Sequence, residues 1–133
     1  MASIFTKIIN GEIPCYKIAE SEDYLAFLDV RPQVKGHTLV IPKVEIDYIF
    51  DIDDELLSGM MPFAKRVALA LKEVVPCKRI GVAVLGIEVP HAHIHLIPIN
   101  QVSDLRFDNV SPDLSPEEME SLAAEIKSRV SLV

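Results

Sequence analysis

The segment His91-Ala92-His93-Ile94-His95 decides how this chain is interpreted, because it carries three of the four histidines in the sequence. Side chains alternate between the two faces of a β-strand. A strand here therefore predicts the three histidines on one face and Ala92 and Ile94 on the other. At a rise of about 3.3 Å per residue, successive imidazoles are anchored about 6.6 Å apart, so they can surround one small group.

Three uses of such a row are compatible with the residues alone. The first is a polar strand face without chemistry. The second is a metal site, since alternate histidines can supply the three protein ligands of a catalytic zinc, with Glu88 as the nearby carboxylate. The third is nucleophilic catalysis, in which one imidazole attacks a phosphate group while the others neutralise its oxygens.

The rest of the chain predicts an α+β domain. Apolar residues recur at helical spacing over residues 53–75, which predicts one long central helix ending at Pro76. Ser3 caps a short N-terminal helix, and Ser115-Pro116 starts a C-terminal helix that reaches about Val130. Strands are predicted at residues 16–20, 24–29, 37–41, 79–85 and 91–98. This order favours a five-stranded, mainly antiparallel sheet with the helices packed on one side.

Composition limits the class of protein further. The 133 residues fit one domain, and the formal net charge of −7 argues against a nucleic-acid binder. No run of about 18 apolar residues is present, so no membrane association is expected. The N-terminus does not read as a signal peptide. Cys15 and Cys77 lack Cys-x-x-Cys spacing, which favours reduced thiols and a cytoplasmic location.

Four segments together resemble the histidine triad family of nucleotide hydrolases and transferases, closest to its Hint-like branch. The histidine row itself matches the family signature. Residues 3–14 (SIFTKIINGEIP) resemble the opening segment, residues 25–30 (LAFLDV) the nucleoside-binding strand, and residues 36–43 (GHTLVIPK) the third strand. These matches keep the family's order from residue 4 to about residue 98. The resemblance implies a HIT-like catalytic domain over residues 1–110 and a C-terminal helical extension of it over residues 111–133.

The resemblance also implies roles for individual residues. The nucleophile of the family corresponds to His93, while His91 and His95 would bind phosphate oxygens or assist the leaving group. His37 matches a fourth histidine behind the triad, although a buried core histidine is the alternative. Asp29 matches the acceptor for the ribose hydroxyls, although a turn-forming role is the alternative. The expected walls of the base pocket are Phe5, Ile8, Phe27 and Val30.

Two departures from the family pattern matter. Where many relatives hold a structural zinc with two cysteines and a histidine, this chain has Ser3, Thr6 and Glu45, so we expect no structural zinc and no cofactor. The region before the triad has Ala83 and then Gly86-Ile87-Glu88 in place of amide and hydroxyl side chains. Glu88 would bring negative charge towards a bound phosphate, which affects leaving-group preference.

The predicted function is therefore cleavage at the α-phosphorus of a purine nucleotide conjugate through a covalent nucleotidyl-histidine. The conjugate would be a phosphoramidate, an acyl-adenylate or a dinucleoside polyphosphate. Two alternatives are a low-turnover, nucleotide-binding regulatory dimer and a metalloenzyme that uses the triad as ligands. The resemblance further implies a homodimer formed through the long helix and an adjacent strand.

Overall fold

The computed structural model of the chain describes residues 2–108 and 110–132. Within them it has the following helices and strands in chain order: α1 (Ile4–Ile9), β1 (Lys17–Glu20), β2 (Tyr24–Leu28), β3 (Thr38–Pro42), α2 (Asp54–Val74), β4 (Arg79–Ala83), β5 (Ile94–Ile99) and α3 (Pro116–Arg129). Two short 3-10 turns, Ile49–Asp51 and Val102–Leu105, were not predicted.

The five strands form one sheet in the order β1-β2-β3-β5-β4, and every neighbouring pair is antiparallel. The predicted α+β class with a five-stranded antiparallel sheet is confirmed. The predicted start of the last strand is wrong, because β5 begins at Ile94. His91 and His93 therefore lie in the segment that leads into β5, and only His95 sits on a paired strand.

Each helix begins at a side chain that accepts a hydrogen bond from a backbone N–H left free by the first turn. Ser3 accepts from the Thr6 N–H, Asp53 from the Leu56 N–H, and Ser115 from the Glu118 N–H. None of the helices in the described ranges is long and apolar enough to cross a bilayer.

The two faces of the sheet carry different helices, which corrects the expectation that all helices pack on one side. Alternate strand residues such as Ala26, Val40 and Leu96 pack with α2 and α3 in the larger core. The residues between them, including Phe27 and Leu39, pack with α1 in a smaller core. Because His95 has the opposite orientation to Ile94 and Leu96 on β5, it lies on the α1 face.

The turn before β3 brings His37 to the same face. Gly36 has a φ of +93°, and a Cβ added there would lie 3.0–3.2 Å from Val75, Leu71 and Pro98. This crowding and the left-handed backbone both require glycine. The chain therefore passes close under the end of α2 and enters β3 directly after His37.

Candidate active site

All four histidines meet on the α1 face of the sheet and are nearly excluded from solvent. His37 and His91 are 1% and 0% exposed, and His93 and His95 are 6% and 7% exposed. The His93 ring lies 4.8 Å from the His95 ring, and His95 lies 5.1 Å from His37, between ring centroids. The hydrogen bonds of these rings determine which nitrogen of each carries a proton.

The hydrogen bond of His93 Nδ1 leaves the lone pair of the ring on Nε2. Its Nδ1 lies 2.7 Å from the main-chain oxygen of His91. A carbonyl oxygen only accepts, so Nδ1 must carry the proton and donate it. In the neutral imidazole the other nitrogen, Nε2, is then unprotonated, which is the state that a nucleophile requires.

His95 carries its proton on the other nitrogen, Nε2, because of its hydrogen bond with His37. The backbone N–H of Gln33 donates to His37 Nδ1 at 3.0 Å, so the neutral His37 ring carries its proton on Nε2. That Nε2–H donates to His95 Nδ1 at 2.9 Å. The proton of His95 is therefore on Nε2, a buried donor that has no hydrogen-bond partner among residues 2–108 and 110–132.

Both rings are neutral at pH 7. Burial lowers the pKa of His37 to about 3, and the neighbouring histidines add to this effect. Burial also lowers the pKa of His95 to about 4, with a further contribution from His93. A buried N–H without a partner costs about 1–3 kcal/mol, so His95 Nε2–H is suited to an oxygen of a bound ligand. The site thus presents a lone pair on His93 beside a donor on His95.

Both ring nitrogens of His91 have hydrogen-bond partners within the protein, so the geometry gives no support to its predicted role at phosphate oxygens. Its Nε2–H donates to the main-chain oxygen of Pro42 at 2.9 Å, and its Nδ1 accepts from the Ser3 hydroxyl at 2.9 Å. Both ring nitrogens are therefore occupied, and the ring is fully buried. Burial is the main reason that the pKa of His91 lies below its ordinary value.

Asp29 lies beside the histidines at the end of β2. One carboxylate oxygen accepts from the Arg31 N–H at 2.8 Å, and the other lies 3.6 Å from His37 Nε2. Burial raises the pKa of this carboxyl, while the backbone hydrogen bond of Arg31 and the nearby His93 oppose the shift. The turn-forming contact is thus present, and contact with ribose hydroxyls stays a prediction.

The expected base-pocket residues are only partly brought together. The Phe5 ring lies 5.1 Å from His93 and 5.6 Å from Phe27, and Ile8 packs in the same cluster. Val30 is 71% exposed and lines a separate groove between the start of β1 and α3. The structure therefore places Phe5, Phe27 and Ile8 near the triad but gives no support for Val30.

The loop before the triad extends into solvent. Ile87 is 87% exposed, and Glu88 is also exposed. Glu88 is nevertheless close enough to contribute to the raised pKa of Asp29, after the larger effect of burial. Ala83 pairs with His95 across β4 and β5, where it offers no polar side chain.

Sequence reasoning did not identify Phe107 as a site residue. Its ring lies 4.7 Å from His95 and 6.1 Å from His37, in both cases edge to face. Its φ of 62° is in the left-handed region, which is strained for a bulky residue. The segment after β5 thus returns over the histidine pair, a non-local contact with no signal in the sequence.

The three positions at which the family resemblance implies a structural zinc contain a hydrogen-bond network instead. Glu45 Oε1 accepts from the Ser3 backbone N–H and from the Thr6 hydroxyl, each at 2.6 Å. These two donors hold the pKa of Glu45 at about 2. Zinc in proteins is bound by thiolate, imidazole or carboxylate ligands, and here two of the three positions, Ser3 and Thr6, carry neutral hydroxyls. These residues do not fit a structural zinc.

The metalloenzyme alternative also lacks support in the geometry. Among the residues that the structure describes, the potential ligand atoms that lie within 4.8 Å of one another belong to Asp29, His37 and His95. His91 and His93 are outside that group, and the 2.9 Å contact between His37 and His95 is a hydrogen bond. The three triad histidines therefore do not converge on one ion.

Comparison with known proteins now identifies the family. The HIT domain profile matches residues 10–102. The chain belongs to the HIT, or histidine triad, family. It is 38% identical over 132 residues to adenosine 5'-monophosphoramidase from Schizosaccharomyces pombe, covering 98% of this chain and 99% of that protein.

Solved HIT structures share the fold over nearly the whole chain. A Hit-like protein of Bartonella henselae, described as involved in cell-cycle regulation, has a TM-score of 0.82 at 32% identity and covers 96% of both chains. A zinc-bound HIT protein of Mycobacterium smegmatis has a TM-score of 0.80 at 29% identity, covering 97% of this chain and 93% of that one.

Proposed function

We propose that this HIT protein is a hydrolase that releases a purine nucleoside 5'-monophosphate from a phosphoramidate conjugate. The observation that carries the proposal is the pairing of the His93 Nε2 lone pair with the His95 Nε2–H donor, which has no partner in the described part of the chain, in one buried site. The similarity to an adenosine 5'-monophosphoramidase supports the phosphoramidate over the other two conjugates. The two unpaired cysteines support a cytoplasmic location.

The proposed reaction has two steps. In the first, His93 Nε2 attacks the α-phosphorus, an Nε2–P bond forms, and the bond from phosphorus to the leaving nitrogen breaks. In the second, water attacks phosphorus, and the Nε2–P bond breaks. The leaving nitrogen takes up a proton as it departs, and one proton of the water replaces it in the second step. The other water proton stays on the phosphate or passes to solvent, the water oxygen becomes a phosphate oxygen, and His93 returns to its neutral form.

The surrounding groups stabilise the charges that develop. During attack the His93 ring becomes positive, and its Nδ1–H remains directed at the His91 carbonyl, which favours that charge. The His95 Nε2–H would donate to a non-bridging phosphate oxygen, in a site where low solvent exposure strengthens the interaction. Asp29 would accept from the ribose hydroxyls, and Phe5 and Phe27 would contact the base.

A matched pair of variants tests this proposal. Wild-type protein incubated with adenosine 5'-phosphoramidate should release AMP, and His93→Ala should reduce release by several orders of magnitude. His93→Gly with added imidazole tests for the nucleophile directly, because free imidazole can fill the vacated position and restore part of the rate. Absence of AMP release by the wild type, or equal release by His93→Ala, would refute the hydrolase.

The position of Glu88 favours a second candidate, a nucleotide-binding regulatory protein with little turnover. The negative charge of its carboxylate contributes to the raised pKa of Asp29, and it would repel a bound phosphate. Calorimetry with AMP separates the two candidates. Micromolar binding together with negligible hydrolysis would support the regulatory role, and Glu88→Gln would then strengthen binding.

We also propose that the protein forms a homodimer through β4 and α2. In the described chain β4 is an edge strand, and apolar side chains beside it are exposed, including Val82, Leu85 and Met61. They border a cavity of about 530 Å³ that a second copy would fill. Light scattering tests this: Val82→Lys should yield monomers, whereas Val110→Lys, at a side chain that is 94% exposed elsewhere, should not.

A further inference from the structure

A polar cluster at the start of α1 lies directly behind the triad. It consists of Ser3, Thr6 and Glu45, and it contacts His91. Ser3 and Glu45 are 42 residues apart in sequence, so their contact fastens α1 to the loop after β3. The proposed reaction uses none of these three side chains, although their hydrogen bonds end at the triad.

The donor and the acceptor of each hydrogen bond in this cluster can be assigned. The Thr6 hydroxyl must donate to Glu45, because a carboxylate only accepts. The Ser3 hydroxyl accepts from the Thr6 N–H, and its own proton is available for His91 Nδ1 at 2.9 Å, closer than the 3.3 Å to the Thr6 hydroxyl. Donation to His91 Nδ1 requires that His91 carries its proton on Nε2.

The opposite side of the His91 ring requires the same protonation state. Its Nε2 faces the carbonyl of Pro42, which accepts a proton and cannot supply one. The ring is thus held at both nitrogens in one orientation. Its main chain is also fixed, since the His91 N–H donates to Val89 at 2.8 Å and the Ala92 N–H donates to Ile46 at 2.7 Å.

The fixed His91 residue in turn fixes the nucleophile. The His91 carbonyl accepts the His93 Nδ1 proton at 2.7 Å and so determines that Nε2 carries the lone pair. Phe5, on the first turn of α1, contacts the His91 ring at 5.7 Å and the His93 ring at 5.1 Å. The docking of α1 therefore acts on His93 through a hydrogen-bond path and through ring packing.

We propose that Ser3, Thr6 and Glu45 are positioning residues, which act through His91 to hold His93 with its lone pair towards the substrate. This inference rests on the proposed function, since it assigns the cluster to the same reaction. The cluster supplies through hydrogen bonds the rigidity that a metal would supply through coordination.

The test compares variants that lose equivalent hydroxyl caps. Ser3→Ala removes the bond to His91, and Ser3→Thr keeps a hydroxyl there. Ser115→Ala removes the matching N-cap of α3, where the serine accepts from Glu118 N–H at 3.1 Å, as Ser3 accepts from Thr6 N–H at 3.0 Å. The Ser115 cap is remote from the triad in the hydrogen-bond network.

Two readouts are measured on each variant well below its melting temperature. With adenosine 5'-phosphoramidate, Ser3→Ala should lower kcat by about 10-fold or more with KM changed less than about twofold. Ser3→Thr should restore most of kcat, and Ser115→Ala should leave it unchanged. In ¹⁵N NMR spectra of the imidazoles, the wild type should show His91 protonated on Nε2 and His93 on Nδ1, and Ser3→Ala should show mixed tautomers.

Equal kcat for Ser3→Ala and Ser115→Ala, with unchanged histidine spectra, would overturn the positioning role. If the wild type releases no AMP, the proposed function fails, but the NMR comparison still decides whether Ser3 sets the tautomers. If Ser3→Ala does not fold, Glu45→Gln provides the same test, because it keeps the side-chain shape while weakening acceptance from Ser3 and Thr6. An unchanged kcat and spectrum in that variant would equally overturn the proposal.

Discussion

Acidification from pH 7 to pH 5 should destabilise this protein strongly, because its histidines are held neutral in the folded state. The pKa of His37 is lowered to about 3 and that of His95 to about 4, from an ordinary value of 6.5. Between these values the unfolded chain binds a proton at each position and the folded protein does not. Stability therefore falls as the pH falls through 6.5, and this loss stops only below about pH 3.

The magnitude follows from linkage. A histidine with a pKa of 6.5 in the unfolded chain, and neutral in the folded protein, removes about 2 kcal/mol of stability between pH 7 and pH 5. Two such groups remove about 4 kcal/mol, and His91, whose pKa is also lowered, acts in the same direction. Glu20 and Glu45 have pKa values lowered from 4.5 to about 2. The stability that they contribute is lost only as the pH falls below 4.5, which is outside this range.

Urea unfolding followed by circular dichroism at pH 7, 6 and 5, at one protein concentration, measures this loss. In His37→Asn one titrating ring is removed, while the Asn side-chain oxygen can still accept from the Gln33 N–H. The loss between pH 7 and pH 5 should then be smaller by about 2 kcal/mol. A wild-type loss below about 1 kcal/mol, or an NMR titration in which His37 or His95 protonates near pH 6, would refute the reasoning.

Three further predictions concern residues that surround the triad. Phe107→Ala should raise the pKa of His95 towards its ordinary value, because a ring 4.7 Å away no longer excludes water, and NMR titration measures the shift. Phe107→Gly should be more stable than Phe107→Ala by about 1 kcal/mol, since glycine adopts the φ of 62° without strain; equal stability would contradict strain at this position. The combined variant Ser3→Cys, Thr6→Cys and Glu45→His should bind one zinc ion per chain in elemental analysis, because these side chains already converge on His91. The wild type serves as its control, and a metal-free triple variant would contradict that convergence.

Local patterns in the sequence were sufficient to predict the helices and the five-stranded antiparallel sheet, although not the faces on which the helices pack. The apolar stripe over residues 53–75 predicted α2, observed as Asp54–Val74. The N-cap serines predicted the starts of α1 and α3 to within a residue. These features are local, because a helix cap and a strand alternation are decided by neighbours in the chain.

The arrangement of the site was only partly predictable. Alternation along a strand correctly placed His95 on the face opposite to Ile94, but it was applied to His91 as well, which precedes β5. His91 instead contacts Ser3 and Pro42, which are 88 and 49 residues away in sequence. The contact of Phe107 with His95 was missed for the same reason. Such contacts depend on how elements dock, which no spacing rule describes.

The main-chain groups that hydrogen-bond the histidine rings have a consequence for protein engineering. The proton pattern is set by the Gln33 N–H and by the carbonyls of Pro42 and His91, which are main-chain groups. A main-chain donor or acceptor survives a change of side chain, except that proline cannot donate at position 33. A library that randomises the exposed residues Ile87 and Glu88 can therefore select for new leaving groups while the histidines keep their protons in place.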